Sequence, residues 1–128
     1  MIFRLKQCDS TSTEFRRRLE KGEIACGDLL WAETQTAGRG RGSHQWHSPL
    51  GGFYGSVLLP SVPGGWTWSP LRAALAIEEV LRGWGASVKV KWPNDLYTIH
   101  GQKLGGVLCE GVGDRVLVGV GLNLRDPG

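Results

Sequence analysis

No apolar run in this chain is long enough to cross a bilayer, since a spanning helix needs about 20 such residues. Residues 1–10 lack the apolar stretch of a secretory signal. Cysteine is scarce: Cys8, Cys26 and Cys109 are odd in number and far apart. They form no C-x-x-C pair and no zinc-ligand spacing, which points to a reduced, cytoplasmic protein. Excess charge is missing too. A formal net charge of +3 does not by itself argue for nucleic-acid binding. The one local basic cluster, Arg16-Arg17-Arg18, suits a solvated helix face. There is no internal repeat and no low-complexity tract. The familiar phosphate loops are also absent. No G-x-x-x-x-G-K-[ST] occurs. The pair Gly38-x-Gly40 is followed by Ser43, and Gly119-x-Gly121 by Leu124, where a dinucleotide fingerprint needs a third glycine. A nucleotide site in this chain must be of another design.

Glycine, by contrast, is abundant, at 20 of 128 residues. That predicts tight turns and short strands joined by loops. Hydrophobic residues make up 41%, enough for a core and against disorder. The length fits one domain, residues 1–128.

Residues 2–7 read as a strand. Thr11-Ser12-Thr13-Glu14 fits a capping box, and Phe15 and Leu19 then share one helical face up to Gly22. Leu29–Glu33 and residues 52–59 read as strands, and Ser61–Trp68 as loop. Residues 70–84 carry the clearest helical period, with Ala73, Ala76, Ile77, Val80, Leu81 and Trp84 on one face. Ser69 is placed to cap that helix, and Pro70 suits its first turn. Four more strands are expected at Ser87–Trp92, Leu96–Ile99, Lys103–Glu110 and Arg115–Val120. His100-Gly101 and Gly111–Asp114 read as hairpin turns, so these strands pair antiparallel. The fold class is α+β: a mixed, mostly antiparallel sheet flanked by helices.

Three segments carry chemistry. In Gly38-Arg39-Gly40-Arg41 the glycines allow close backbone approach, and the arginines offer forked donors to phosphate or carboxylate. Lys91-Trp92-Pro93-Asn94-Asp95 and Lys103-Leu104-Gly105-Gly106 follow. Lys103 supplies a further cation beside its own glycines. Together they suggest handling of a small, phosphorylated, anionic molecule.

The order and spacing of these segments resemble the catalytic domain of the biotin protein ligases. The resemblance rests on Asp9-Ser10-Thr11, Gln35 through Arg41 with Trp46 and Ser48-Pro49, the Lys91–Asp95 run, Lys103 through Leu108, and Gly119 through Asn123. It covers about residue 5 to residue 124. It implies a fold related to class II aminoacyl-tRNA synthetases. It implies that biotin and ATP, with Mg2+ expected alongside, give biotinyl-5′-adenylate, and that biotin then passes to a lysine of a carboxylase's biotin carboxyl carrier domain.

By the same resemblance Ser10, Thr11, Gln35 and the backbone at Gly38 meet the ureido ring, although Ser10 and Thr11 also suit helix capping. Arg39 and Arg41 face phosphate, Trp46 covers the adenine side, and Asn94 and Asn123 lie near the nucleotide. Lys103 bridges the biotin carboxylate and the α-phosphate, while Gly105 and Gly106 let their strand approach biotin. Asp95 steers or deprotonates the acceptor lysine, or stabilises its own turn. Catalysis thus falls to Lys103, Arg39 and Asp95, with no metal ligands named.

His44 stands where the family usually has a further basic residue, so closure over the adenylate is expected to be weaker or pH-sensitive. The chain shows no N-terminal DNA-binding domain, so DNA is not an expected partner, nor is a membrane. It stops before the family's C-terminal β-barrel-like domain, and the sheet edge so exposed is expected to be covered by a homodimer. Lipoate or octanoate ligation, and non-catalytic binding of biotin or its adenylate, are the alternatives.

Overall fold

The computed structural model describes residues 1–60 and 68–124. The sequence-based loop over residues 61–67 lies outside them. Strands β1 (Ile2–Cys8), β2 (Leu29–Gln35), β3 (Phe53–Pro60), β4 (Val88–Lys91), β5 (Asp95–Thr98), β6 (Lys103–Val112) and β7 (Arg115–Leu122) are joined by helices α1 (Thr11–Glu20) and α2 (Ser69–Gly83). They form one sheet in the order β1-β2-β3-β7-β6-β5-β4. The pairings are antiparallel except β1 with β2, which is parallel. A parallel pair needs a crossover, and α1 supplies it. The expected α+β class holds, and each expected strand is present within a few residues. Among the described residues no helix is long and apolar enough to cross a membrane.

Alternation along the strands builds two cores, one on each face. On one face, Phe15 of α1 packs with Ile24, Leu30, Leu58 and Leu117, and Leu19 joins at the margin. On the other, Ala74 of α2 packs with Val107, Cys109, Val116 and Val118. Burial there pushes the Cys109 thiol up to about 12. Phe15 is 0% exposed. Phe15→Ala should therefore cost about 3–5 kcal/mol, the range for an aromatic removed from a packed core. Urea unfolding would show this as a lowered midpoint with an unchanged slope.

Both helix starts differ from expectation. The cap of α1 is Ser10, one residue before the expected Thr11. The Glu14 amide donates to the Ser10 carbonyl at 2.9 Å, and the Ser10 hydroxyl accepts from the Thr13 amide at 3.4 Å. Glu14 does not reach back to close a capping box; it pairs with Arg17 at 3.0 Å and Arg18 at 2.9 Å. Arg17 also grips Asp9, and that hydrogen bond holds the Asp9 carboxyl below its ordinary pKa. The expected basic cluster is thus largely neutralised by local acids. In α2, Ser69 is the first helical residue and not the cap. The first helical bond closes earlier, from the Arg72 amide to the Trp68 carbonyl at 3.0 Å. Trp68 holds the cap position without a side-chain bond.

The apolar face of α2 is also rotated from expectation. Ala74 and Leu81 are buried, whereas Val80 and Trp84 stand 50% and 78% exposed. The small Ala74 lets the helix lie against the valines of β6 and β7. Periodicity identifies residues that share a stripe, but the sheet decides how much of the stripe it covers.

Candidate active site

A cavity of about 800 Å³ opens over the α1 side of the sheet. That is the size of a small-molecule site. Its floor is β6 and β7, its back wall the start of α1, and its roof the segment from Arg39 to Gly52. Of the expected site residues it gathers Ser10, Thr11, Gln35, Arg39, Arg41, Trp46, Asn94, Asp95, Lys103, Gly106 and Asn123. Gly38 and Gly105 do not line it. Gly38 is buried behind the loop, where a Cβ would lie 2.4 Å from the Trp46 carbonyl oxygen. Gly105 points to the opposite face of the sheet from Gly106, because successive strand residues alternate.

The floor depends on missing side chains. A Cβ on Gly121 would stand 2.4 Å from the indole nitrogen of Trp46. Glycine at this position leaves room for the indole to pack against β7. Trp46 Nε1 is buried with no hydrogen-bond partner among the described residues.

Lys103 reaches the cavity through a fault in the strand. Asp95 pairs with Gly106, Leu96 with Gly105, and then Tyr97 with Lys103. Leu104 is the extra residue in that register shift. Simple alternation would place Lys103 on the face opposite Gly106; the bulge turns it back onto the same face. Re-aiming a side chain in this way is a recurrent use of bulges. The Lys103 ammonium lies 3.5 Å from Asp95 and 5.3 Å from the centre of the Trp46 ring.

The loop after β2 is a small hairpin. Gly40 and His44 are joined by a 2.9 Å backbone bond, and Trp46 donates to the Gly38 carbonyl at 2.7 Å. Gly42 turns it with a φ of 62°. Arg39 pairs with Glu110 at 2.8 Å. Arg41 has no ion pair among the described residues. The lining holds three cations, Arg39, Arg41 and Lys103, against one carboxylate, Asp95. That excess favours an anionic ligand.

The back wall is polar. Thr11 Oγ1 and Ser12 Oγ both lie 2.8 Å from the fully buried Ser56 Oγ. Gln35 is committed at both ends: it accepts from the Thr11 amide at 2.8 Å and donates to Ser48 Oγ at 2.9 Å. It therefore works as a strut for the wall. Asn94 is 4% exposed. It donates to the Val107 carbonyl at 2.8 Å, while its Oδ1 is buried without a partner among the described residues. The Asn123 amide ties β7 to Leu104 at 2.7 Å.

Ser12, Ser56 and Glu110 were missed by sequence reasoning. Ser56 did carry a signal, a hydroxyl inside the apolar strand Phe-Tyr-Gly-Ser-Val-Leu-Leu. Among the described residues no cluster of three or more His, Cys, Asp or Glu has the geometry to hold a metal.

The sequence pattern of the biotin/lipoate A/B protein ligase family matches residues 5–125. The bifunctional ligase/repressor BirA of Escherichia coli is 39% identical over 125 residues, covering 91% of this chain and 38% of its own length. A biotin acetyl coenzyme A carboxylase synthetase from Helicobacter pylori, crystallised with biotinylated ATP, superposes with a TM-score of 0.90. It is 26% identical, and the match covers 98% of this chain and 62% of that one. The biotin protein ligase of Aquifex aeolicus, in complex with biotin and ATP, gives a TM-score of 0.82 at 34% identity, covering 99% and 53% of the two chains. This chain thus spans less than two thirds of the length of these relatives. With the sequence pattern, the sheet and the glycine-floored cavity in agreement, the chain belongs to the biotin/lipoate A/B protein ligase family.

Proposed function

We propose that this cavity activates biotin with ATP and serves a biotin–protein ligase. The observation that carries the reading is the junction of two environments in one cavity. A wall of buried hydroxyls, Thr11 and Ser12 backed by Ser56, meets a cationic mouth formed by Lys103, Arg39 and Arg41. A ureido ring both donates and accepts hydrogen bonds, which suits hydroxyls. A carboxylate meeting a triphosphate needs cations.

In the first step an oxygen of the biotin carboxylate attacks the α-phosphorus. The new bond gives the acyl phosphate, the bond to the β-phosphate oxygen breaks, and pyrophosphate leaves. Two anions must approach each other, so the barrier is partly electrostatic. Lys103 stands where it stabilises the charge that builds up, and its ion pair with Asp95 and its seat on Trp46 fix its position. Arg41, which has no ion pair among the described residues, can follow the phosphates. Trp46 and Leu50 form the apolar side on which a purine would rest. The magnesium that accompanies ATP is counted as part of that substrate; phosphates and water supply most of its ligands. In the second step the amine of a carrier-domain lysine attacks the acyl carbon and AMP leaves. Asp95, partly exposed at the cavity edge, is placed to orient that amine. A second copy of the chain would pair at an edge strand of the sheet, β1 or β4 among the described residues.

Lipoate or octanoate ligation is the rival within the same family. The hydroxyl wall speaks against it, because neither acid has a polar head to satisfy those groups. A non-catalytic binder of biotin needs at most one cation, for the carboxylate, whereas three line the mouth. Incubation with biotin, magnesium and ATP labelled at the α-phosphate is expected to yield biotinyl-adenylate and pyrophosphate. Adenylate formed from octanoate or lipoate instead would transfer the assignment to the rival; binding without pyrophosphate release would leave only a binder.

A further inference from the structure

We infer that Glu110 is a positioning residue that holds the glycine–arginine loop to the sheet, a role that rests on the ligase reading above. Glu110 lies on β6, the strand that begins with Lys103. It is opposite Leu117 in the β6–β7 ladder, beside the core under α1. Its Oε2 accepts from Arg39 Nη2 at 2.8 Å and lies 3.6 Å from Arg16 of α1. One carboxylate oxygen therefore joins the loop, the helix and the strand.

The other oxygen supplies the second observation. Oε1 is buried and makes no hydrogen bond among the described residues. An unsatisfied buried carboxylate oxygen is costly. Arginine offers donors in a planar fork that matches both oxygens of a carboxylate. Arg39 uses one arm on Oε2, while its Nη1 stands 3.5 Å from the Thr13 hydroxyl, at the limit of bonding. Rotation of that arm from Thr13 to Oε1 completes the fork. Arg39 then has two arrangements, a one-point contact and a two-point clamp. The clamp draws the loop against β6 and sets the roof over the ligand. Glu110 touches no substrate; it acts through Arg39.

A double-mutant cycle on the ligand-free protein tests this. The readout is the rate of tryptic cleavage after Arg41 for the wild type, Glu110→Gln, Arg39→Gln and the double variant. Each single change is expected to speed cleavage about fivefold, the scale of a partly exposed ion pair. The double variant should be no faster than either single one. Cleavage after Arg82 on α2 should stay unchanged. Equal acceleration at Arg82 would mean general loosening, and additive effects at Arg41 would mean independent residues; either result overturns the inference.

Turnover gives a second arm. In Glu110→Gln, kcat for adenylate formation is expected to fall about tenfold, as for a misplaced catalytic group, while KM for biotin moves less than twofold. An unchanged kcat would also overturn the role. If the wild type forms no adenylate, the ligase reading falls, and the cleavage cycle still decides whether Glu110 pins the loop.

Discussion

Lys103→Ala is expected to slow biotinyl-adenylate formation by about a hundredfold or more, the loss seen when a major electrostatic stabiliser is removed. The residue is well suited to show this cleanly. Its side chain is 43% exposed and its ion pair with Asp95 spans 3.5 Å. Such a pair contributes little to stability, about 0–1 kcal/mol. The variant should therefore fold normally, with an almost unchanged unfolding midpoint. Biotin binding should weaken far less than turnover falls, because the hydroxyl wall does not involve Lys103. Pre-steady-state release of pyrophosphate measures the chemical step directly. Turnover near wild type would remove Lys103 from the mechanism, and the bulge that aims it would need another explanation.

The second large effect concerns choice of acid. Biotin should bind, and lipoate should not bind measurably, with a preference of about 10⁴-fold. A site built to hydrogen-bond a ligand rejects an analogue that leaves its polar groups unpaired by about that factor. Two bonds join Thr11, Ser12 and Ser56 in a buried cluster, which leaves one O–H and spare lone pairs for a ligand, and Gln35 fixes the first of them through its backbone amide. Gln35→Ala removes that strut, frees the Thr11 amide and leaves Ser48 without its donor. Biotin affinity should then drop about tenfold to a hundredfold, the range for a lost buried hydrogen bond, while ATP affinity stays close to wild type. Isothermal calorimetry with each ligand separates the two. Equal binding of lipoate and biotin would favour the rival ligase.

Much of this molecule was legible in its sequence, for local reasons. Strand alternation, turn glycines and the period of α2 are properties of short segments, and each expected element formed. The cations and the glycine loops could be listed for the same reason, since residue type alone shows what can meet phosphate. Elements that depend on where segments meet were not legible. Ser56 and Glu110 became interesting only when the sheet placed them against α1 and the loop. Gly105 and Gly106 are neighbours in sequence, yet the strand sends them to opposite faces. Lys103 would have been placed on the wrong face by alternation, because a bulge is a property of two paired strands and not of one. The helix α2 carries an apolar stripe wider than the sheet covers, so Val80 and Trp84 remain exposed. Local composition determined which groups this protein has for its chemistry. Only the tertiary structure decided which of them share a cavity, because that depends on strand register and on contacts between residues far apart in the chain.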